Sequence, residues 1–402
     1  MRYTIAPQLT KELAYDWEVV SGEFDDPFID PRMIVAVQES MGHLCHFQNV
    51  IVYDEEDRPA AVACFFVERA DALMMAPQPV RRLANVVRRV RGNFLRFPML
   101  FCGLPASAGW NQLRVRPGAD VRGALSAVHR AQESLRRDVR PRATVFMEFN
   151  DRQAEELAGL SELGYARADS PPMYVLPAEG RTFMEYLGTM KSHYRRVIAG
   201  SERRFAKSGV RVIHATGAAP FLDVFDDELY QLYVQVVRRA EVMMHVLPLE
   251  YFRAVARRFD QQFLSTFLYQ GERPVGFAVG IVTPAAYYGL FIGLNYAAKL
   301  NAENQATDLY FNLFYQNLRY AMQRRVQSVF MGSDSDRFKL RLGCRRQRRN
   351  VFIHLHGLLD RPFRQTQHWW LRPHKPGEPE MDVFRAPADI ASSKLRSIVD
   401  NL

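Results

Sequence analysis

Apolar positions recur with two periods along this chain, and the two alternate from start to finish. In the first half, Phe47–Tyr53 and Ala60–Glu68 are apolar runs on either side of the charged turn Asp54-Glu55-Glu56-Asp57-Arg58, which predicts a hairpin. Phe97–Gly103 and Ala143–Phe149 read as further strands. Helical spacing is found over Arg32–Glu39, opened by Asp30-Pro31, and over Pro79–Val90 and Val121–Arg137. Leu157–Tyr165 ends in Leu163-Gly164-Tyr165, the close of a helix before a strand. After Ala178-Glu179-Gly180 the pattern restarts. Phe183–Thr189, Lys191–Lys207, Phe221–Ala240, Pro248–Asp260 and Ala306–Arg325 are expected to be helices. The expected strands are Val210–His214, Phe263–Gln270, Pro274–Val282, Tyr287–Leu294, Ser328–Met331 and Val351–His356. Antiparallel strands, a long helix and then a strand define an α+β order. The expected division is residues 1–177, residues 178–360 and a C-terminal extension, 361–402, in which Pro373–Pro387 reads as loop.

Length agrees with this division, since 402 residues exceed one ordinary core. No run reaches the roughly 18–20 apolar residues that a membrane helix needs. The N-terminus Met1-Arg2-Tyr3-Thr4-Ile5-Ala6-Pro7 lacks the apolar core of a secretory signal. Four scattered cysteines without a C-x-x-C pair suit reduced thiols, so a cytoplasmic enzyme is expected. The formal charge of +9 comes largely from arginine clusters at 81–91, 191–204 and 337–349. Clustered guanidinium groups favour phosphate-bearing partners such as coenzyme A, a carrier protein or tRNA. Each run, taken singly, also reads as a solvated helix face.

Three segments carry a resemblance. Phe183-Met184-Glu185-Tyr186-Leu187 leads into Lys191-Ser192-His193-Tyr194-Arg195-Arg196 and then Gly209-Val210. Tyr287-Tyr288-Gly289-Leu290-Phe291-Ile292-Gly293-Leu294-Asn295 precedes the helix after residue 305. Phe330-Met331-Gly332-Ser333-Asp334 is followed by Phe338-Lys339 and Leu342-Gly343. Together these resemble the FemAB-like proteins of the GNAT superfamily, over about residues 180–357. The resemblance implies two tandem GNAT-like domains, each a mostly antiparallel twisted sheet flanked by helices, the first degenerate and the second an acyltransferase. It implies transfer of an acyl or aminoacyl group from a phosphate-bearing donor to an amine. The sequence departs from the acetyl-CoA pattern at Asn301–Ala306, where the expected phosphate loop has no glycine, and that departure points towards aminoacyl-tRNA as donor.

Such a reaction needs a neutral amine, a proton acceptor and a partner for the oxyanion. The resemblance makes Lys339 an oxyanion or phosphate partner, with Asp334 and Asp336 able to take the proton or to hold the lysine. His245, in a Met-Met-His-Val-Leu-Pro segment, is an alternative base, and Tyr288 and Asn295 bracket a strand near the acceptor. Arg195, Arg196, Arg203, Arg204 and Asn304 are candidate donor ligands, with Asn295 beside them. Glu148 ends a strand and is a candidate to face a cleft. Cys344 sits among arginines without a histidine nearby in sequence. His354 and His356 point the same way but lack a third ligand, so no metal is expected, and the acyl donor enters as a co-substrate rather than a resident cofactor. The competing reading is a non-catalytic nucleic-acid-binding protein, with Tyr194, Phe205 and Phe338 interleaved with arginine as a stacking surface.

Overall fold

The computed structural model describes residues 1–71, 78–106, 109–239, 246–298, 306–333, 336–357, 360–361, 365 and 379–385. The chain forms two compact units, each discontinuous in sequence: Met1–Pro172 with Ala240–Arg258 and Arg348–Lys375, and Met173–Arg239 with Phe259–Gln347 and Pro376–Leu402. Along the chain run β1 (Arg2–Ala6), β2 (His46–Tyr53), β3 (Pro59–Asp71), β4 (Arg96–Cys102), β5 (Leu113–Val115) and β6 (Ala143–Asn150). They are followed by β7 (Ala166–Pro177), β8 (Val210–Thr216), β9 (Phe263–Gln270), β10 (Arg273–Val282), β11 (Ala286–Leu294), β12 (Ser328–Phe330) and β13 (Arg345–Leu355).

In the first unit the strands lie in the order β1-β2-β3-β4-β6-β13, with β5 on β3. Every pair is antiparallel except β4–β6. The helix Val121–Val139 covers this sheet with Ala124, Ala127 and Ala131, whose small side chains let the backbone approach closely, and with Leu125, Val128 and Leu135. In the second unit the order is β8-β9-β10-β11-β12-β7, again antiparallel except for one pair, β11–β12. The helix Ala306–Met322 connects that parallel pair, as Val121–Val139 precedes β6 in the first unit. Each sheet is thus a four-strand meander, a parallel fifth strand and an antiparallel sixth. In each unit the sixth strand comes from the other half of the sequence.

Local chemistry explains most boundaries. Asp30 caps Pro31–Met41 by accepting from the Arg32 N–H, and Thr182 with Glu185 closes a capping box on Phe183–Thr189. The expected single helix Phe221–Ala240 is instead two, Ala218–Leu222 and Asp227–Val237, because Asp226 takes the Leu229 N–H and starts a new helix. Residues 157–165 hold only a short helix, Gly159–Glu162, after Asp151–Glu156. The closing strand begins at Arg345 rather than Val351, and β7 runs through Pro171 and Pro172.

The two units share a signature. Val145-Phe146-Met147-Glu148 and Val329-Phe330-Met331-Gly332 occupy the same place in their sheets. In each, the phenylalanine is the last residue paired with the parallel neighbour (Cys102 with Phe146, Tyr288 with Phe330). Two residues on, the backbone turns left-handed, with φ 66° at Glu148 and 75° at Gly332. Each strand is followed by a short helix and a Leu-Gly step, at Gly164 (φ 92°) and Gly343 (φ 87°). A side chain at a left-handed position costs about 1–2 kcal/mol, partly offset by the extra entropy glycine loses on folding. Gly332→Ala is therefore expected to destabilise the protein by about 1 kcal/mol or more in urea unfolding.

The rings of His354 and His356 lie 4.9 Å apart, tilted at 42°, in the first unit, and His356 Nε2 bonds Thr144 Oγ1 at 2.8 Å. Among the described residues no group of three or more His, Cys, Asp or Glu gathers as a metal site. Burial, and secondarily the neighbouring His354, pushes His356 down to about 4. Between about pH 6.5 and 4 the unfolded chain therefore takes up a proton that the folded one refuses. Stability conferred by neutral His356 is present above that window and is lost as pH falls through it. Urea midpoints measured from pH 7 to 4 should fall, with a shallower slope in His356→Gln.

Candidate active site in the second unit

The ladder between β11 and β12 is three residues long, from Ala286 with Ser328 to Tyr288 with Phe330. Beyond it β11 runs on to Leu294, while the chain after β12 stays bonded to β7. The Met331 N–H donates to the Tyr174 carbonyl at 2.9 Å, and the Tyr174 N–H donates to the Gly332 carbonyl at 3.1 Å. The two parallel strands part at Gly332. Into this elbow comes Lys339, from the helix Asp336–Arg341, 3% exposed. A Cβ placed on Gly332 would lie 3.8 Å from Lys339 Nζ, and Nζ sits 5.3 Å from the centre of the Tyr174 ring. The Tyr174 hydroxyl in turn accepts from Arg346 Nε at 3.1 Å. A buried ammonium beside a backbone elbow is suited to meeting an anion that appears during reaction, because the dry surround strengthens the attraction.

Beside Lys339 its neighbour Phe338 closes a cavity of about 710 Å³. The helix Ser192–Ala206 contributes Tyr194, Val197, Ile198, Ser201 and Arg204, all on one face. The helix Ala306–Met322 contributes Asp308, Tyr310, Phe311 and Tyr315, and the Phe338 ring packs on Phe311 at 4.9 Å and on Phe314 at 5.3 Å. Arg204 Nε donates to Asp308 Oδ2 at 2.5 Å and its Nη2 to Oδ1 at 3.0 Å; Ser201 Oγ donates to the same Oδ1 at 3.0 Å. Asn312 Nδ2 donates to Ser201 Oγ at 3.0 Å, which locks the two helices together.

The residues singled out from the sequence fall into four groups. Lys339 stands at the elbow, and Tyr288 is the last β11 residue paired with β12, its ring stacked 4.8 Å from Phe330. Arg195 donates to the Met190 carbonyl at 3.1 Å and fastens its own helix, while Asn295 Oδ1 accepts from the Ala297 N–H at 3.0 Å in a turn. Arg196 and Arg203 are exposed and, among the described residues, form no ion pair. Asp334, His245 and Asn304 lie outside the described residues, as do positions 301–305; Asp336 opens its helix, but its side chain lies outside them too. The proposed stacking surface is not assembled: Phe205 is buried, and Tyr194 and Phe338 face the cavity.

Sequence reasoning named Arg204 as a phosphate ligand, whereas here it is paired with Asp308; it passed over Asp308 and the cavity, whose walls come from segments over 100 residues apart. It also passed over the repeated Val-Phe-Met and Leu-Gly steps. In the first unit the residue four before Gly164, matching Lys339 four before Gly343, is the fully buried Leu160, and Glu148 replaces Gly332. The helix beside the first elbow thus lacks the lysine.

Residues 192–340 match the family model described as an acetyltransferase (GNAT) domain. Among solved structures, the chain is similar to FemX, at 10% identity and a TM-score of 0.54 over 91% of this chain and 99% of that one. It is similar to the C-terminal domain (DUF2156) of a putative lysylphosphatidylglycerol synthetase from Agrobacterium fabrum, at 11% identity and a TM-score of 0.51 over 87% and 96%. It is also similar to a tandem GNAT protein from the clavulanic acid biosynthesis pathway, at 13% identity and a TM-score of 0.51 over 89% and 99%. No curated protein matches the chain in sequence. Residues 192–340 thus carry the match to a GNAT acetyltransferase domain, and the chain as a whole shares the fold of FemX and of the tandem GNAT protein. Among the described residues no helix is long and apolar enough to cross a membrane.

Cys344 lies next to this site, its Sγ 3.4 Å from Met331 Sδ. Burial pushes its thiol up to about 12 and outweighs the opposing pull of Lys339, so it is no thiolate. All four cysteines are buried. Titration with an aromatic disulfide reagent at pH 8 should find none reactive in the native protein and all of them in urea.

Proposed function

We propose that the chain forms an amide by moving an acyl or aminoacyl group from an activated, phosphate-bearing donor to an amine. The observation that carries this reading is the buried ammonium of Lys339 at the elbow where β11 and β12 part. An acyl carbonyl laid in the gap beyond Tyr288 would be attacked by the neutral amine. The new C–N bond forms as the carbonyl pair moves onto oxygen, and Lys339 holds that oxyanion. Collapse then breaks the bond to the donor's sulfur or ribose oxygen, and the amine's surplus proton passes to a base. Asp334, Asp336 and His245 are the candidates for that base. Arg196 and Arg203 are exposed cations able to meet the donor's phosphates, in keeping with the preference of guanidinium for phosphate. The enzyme forms no covalent intermediate and keeps no resident cofactor or metal, and it works in the cytoplasm on an amine-bearing small molecule or peptide.

The reading is tested by coupling donors (acetyl-, octanoyl- and palmitoyl-coenzyme A, and charged tRNA) to a panel of amino acids with mass-spectrometric detection. With whichever donor turns over, Lys339→Met should lower kcat by about 100- to 1,000-fold while donor KM changes little. Wild-type kcat in Lys339→Met would remove the basis of the reading.

A further inference from the structure

The cavity beside Lys339 has an apolar body and a cationic mouth. Its buried and half-buried lining includes Ile198, Phe311, Tyr315, Phe338 and Leu342. Its exposed lining includes Val197, 49% exposed, and Arg337 and Arg341, neither of which forms an ion pair among the described residues. The cavity's volume of about 710 Å³ falls within the roughly 300–1,000 Å³ of pockets that bury a whole drug-sized molecule. An acetyl group would leave most of it unfilled.

Charge separates the remaining donors. An aminoacyl group carries an α-ammonium that needs a carboxylate or a set of acceptors once it leaves water. Among the described lining residues the one acid is Asp308, and both of its oxygens accept from Arg204 or Ser201. Arg204, half exposed, is neutralised by the same contact. Among the described lining residues no carboxylate is left unpaired, and what the wall offers a ligand is aromatic and aliphatic surface, with His193 and two arginines on its exposed side for a phosphate.

We propose that this cavity holds the aliphatic chain of a medium- or long-chain acyl donor, making the enzyme an N-acyltransferase that selects its donor by chain length. This rests on the acyl-transfer reading and narrows it to an apolar acyl thioester. Each methylene buried in such a site contributes roughly fourfold in affinity until the space is full.

Two measurements test it separately from turnover. Calorimetric titration of the full chain with acetyl-, hexanoyl-, decanoyl- and palmitoyl-coenzyme A should show affinity rising with chain length and then levelling. Val197→Trp, which puts an indole at the mouth, should lower affinity for the palmitoyl donor by at least tenfold while altering that for the acetyl donor less than threefold. A second variant, Ile198→Ala, should lengthen the preferred chain, which guards against a folding defect in the first. Rates with the same donors should follow the same order. Equal affinity at every length, tighter binding of acetyl-coenzyme A, or use of charged tRNA alone overturns the chain-length proposal and leaves acyl transfer standing. Chain-length-dependent binding with no turnover for any donor upholds the cavity's ligand and overturns the reaction instead.

Discussion

The site depends on a hydrogen-bond ladder that stops early. Two parallel strands, β11 and β12, bond over three residues and then separate, because the backbone after Phe330 bends left-handed at Gly332 and stays with β7. Had β12 continued along β11, the backbone of both strands would be satisfied and no room would be left between them. Parting the strands exposes peptide groups and opens a gap into which a carbonyl fits. It also sets where the next helix starts, and that helix delivers Lys339 to the gap on one side and Phe338 to the cavity on the other. Adjacent residues on a helix point about 100° apart, so a single turn supplies both chemistry and selectivity.

The first unit shows what the same scaffold becomes without the lysine. Its parallel strands part after Phe146 as the others part after Phe330, yet the elbow is a glutamate and the helix offers Leu160. Burial raises the Glu148 carboxyl, the charge of Arg349 opposes this, and a 3.4 Å hydrogen bond from Ser170 Oγ helps little. Nearby, Arg114 pairs with Asp26 deep in the fold, and the Arg349 guanidinium lies 5.3 Å from the centre of the Trp110 ring. Buried ion pairs of this kind add little net stability, since desolvation consumes most of the attraction. Glu148 thus occupies a strained position in a low-dielectric surround with modest local compensation, the reverse of what packing alone would select.

Much of this was legible in the sequence where local rules decide. Asp30-Pro31 and the Thr182/Glu185 box fixed helix starts, and the charged run 54–58 fixed a hairpin. The K-x-x-L-G context drew attention to Lys339, which the fold places at the elbow, while its role rests on the proposal. Other features were hidden for physical reasons. Asp226 sits inside an apolar period that continues on both sides, so only its bond to Leu229 reveals the break. The strand β7 contains two consecutive prolines, which argue against a strand unless its ladder is partial, and it pairs with β12 through Val175–Pro177 only. The cavity requires Ser201 to meet Asp308, a contact between distant segments that no periodicity encodes.

The source of the sixth strand in each sheet bears on how the chain is made. Residues 349–355 complete a sheet whose other strands are finished by residue 150, so about half the chain must leave the ribosome before that edge is covered. Until then β6 presents an unpaired, largely apolar margin, the type of edge on which nascent chains stick to one another. Long-range pairing of this kind slows folding relative to two self-contained halves. A gene cut at the apparent mid-point would therefore encode two pieces that each lack a strand of their own sheet, and only together would they restore it.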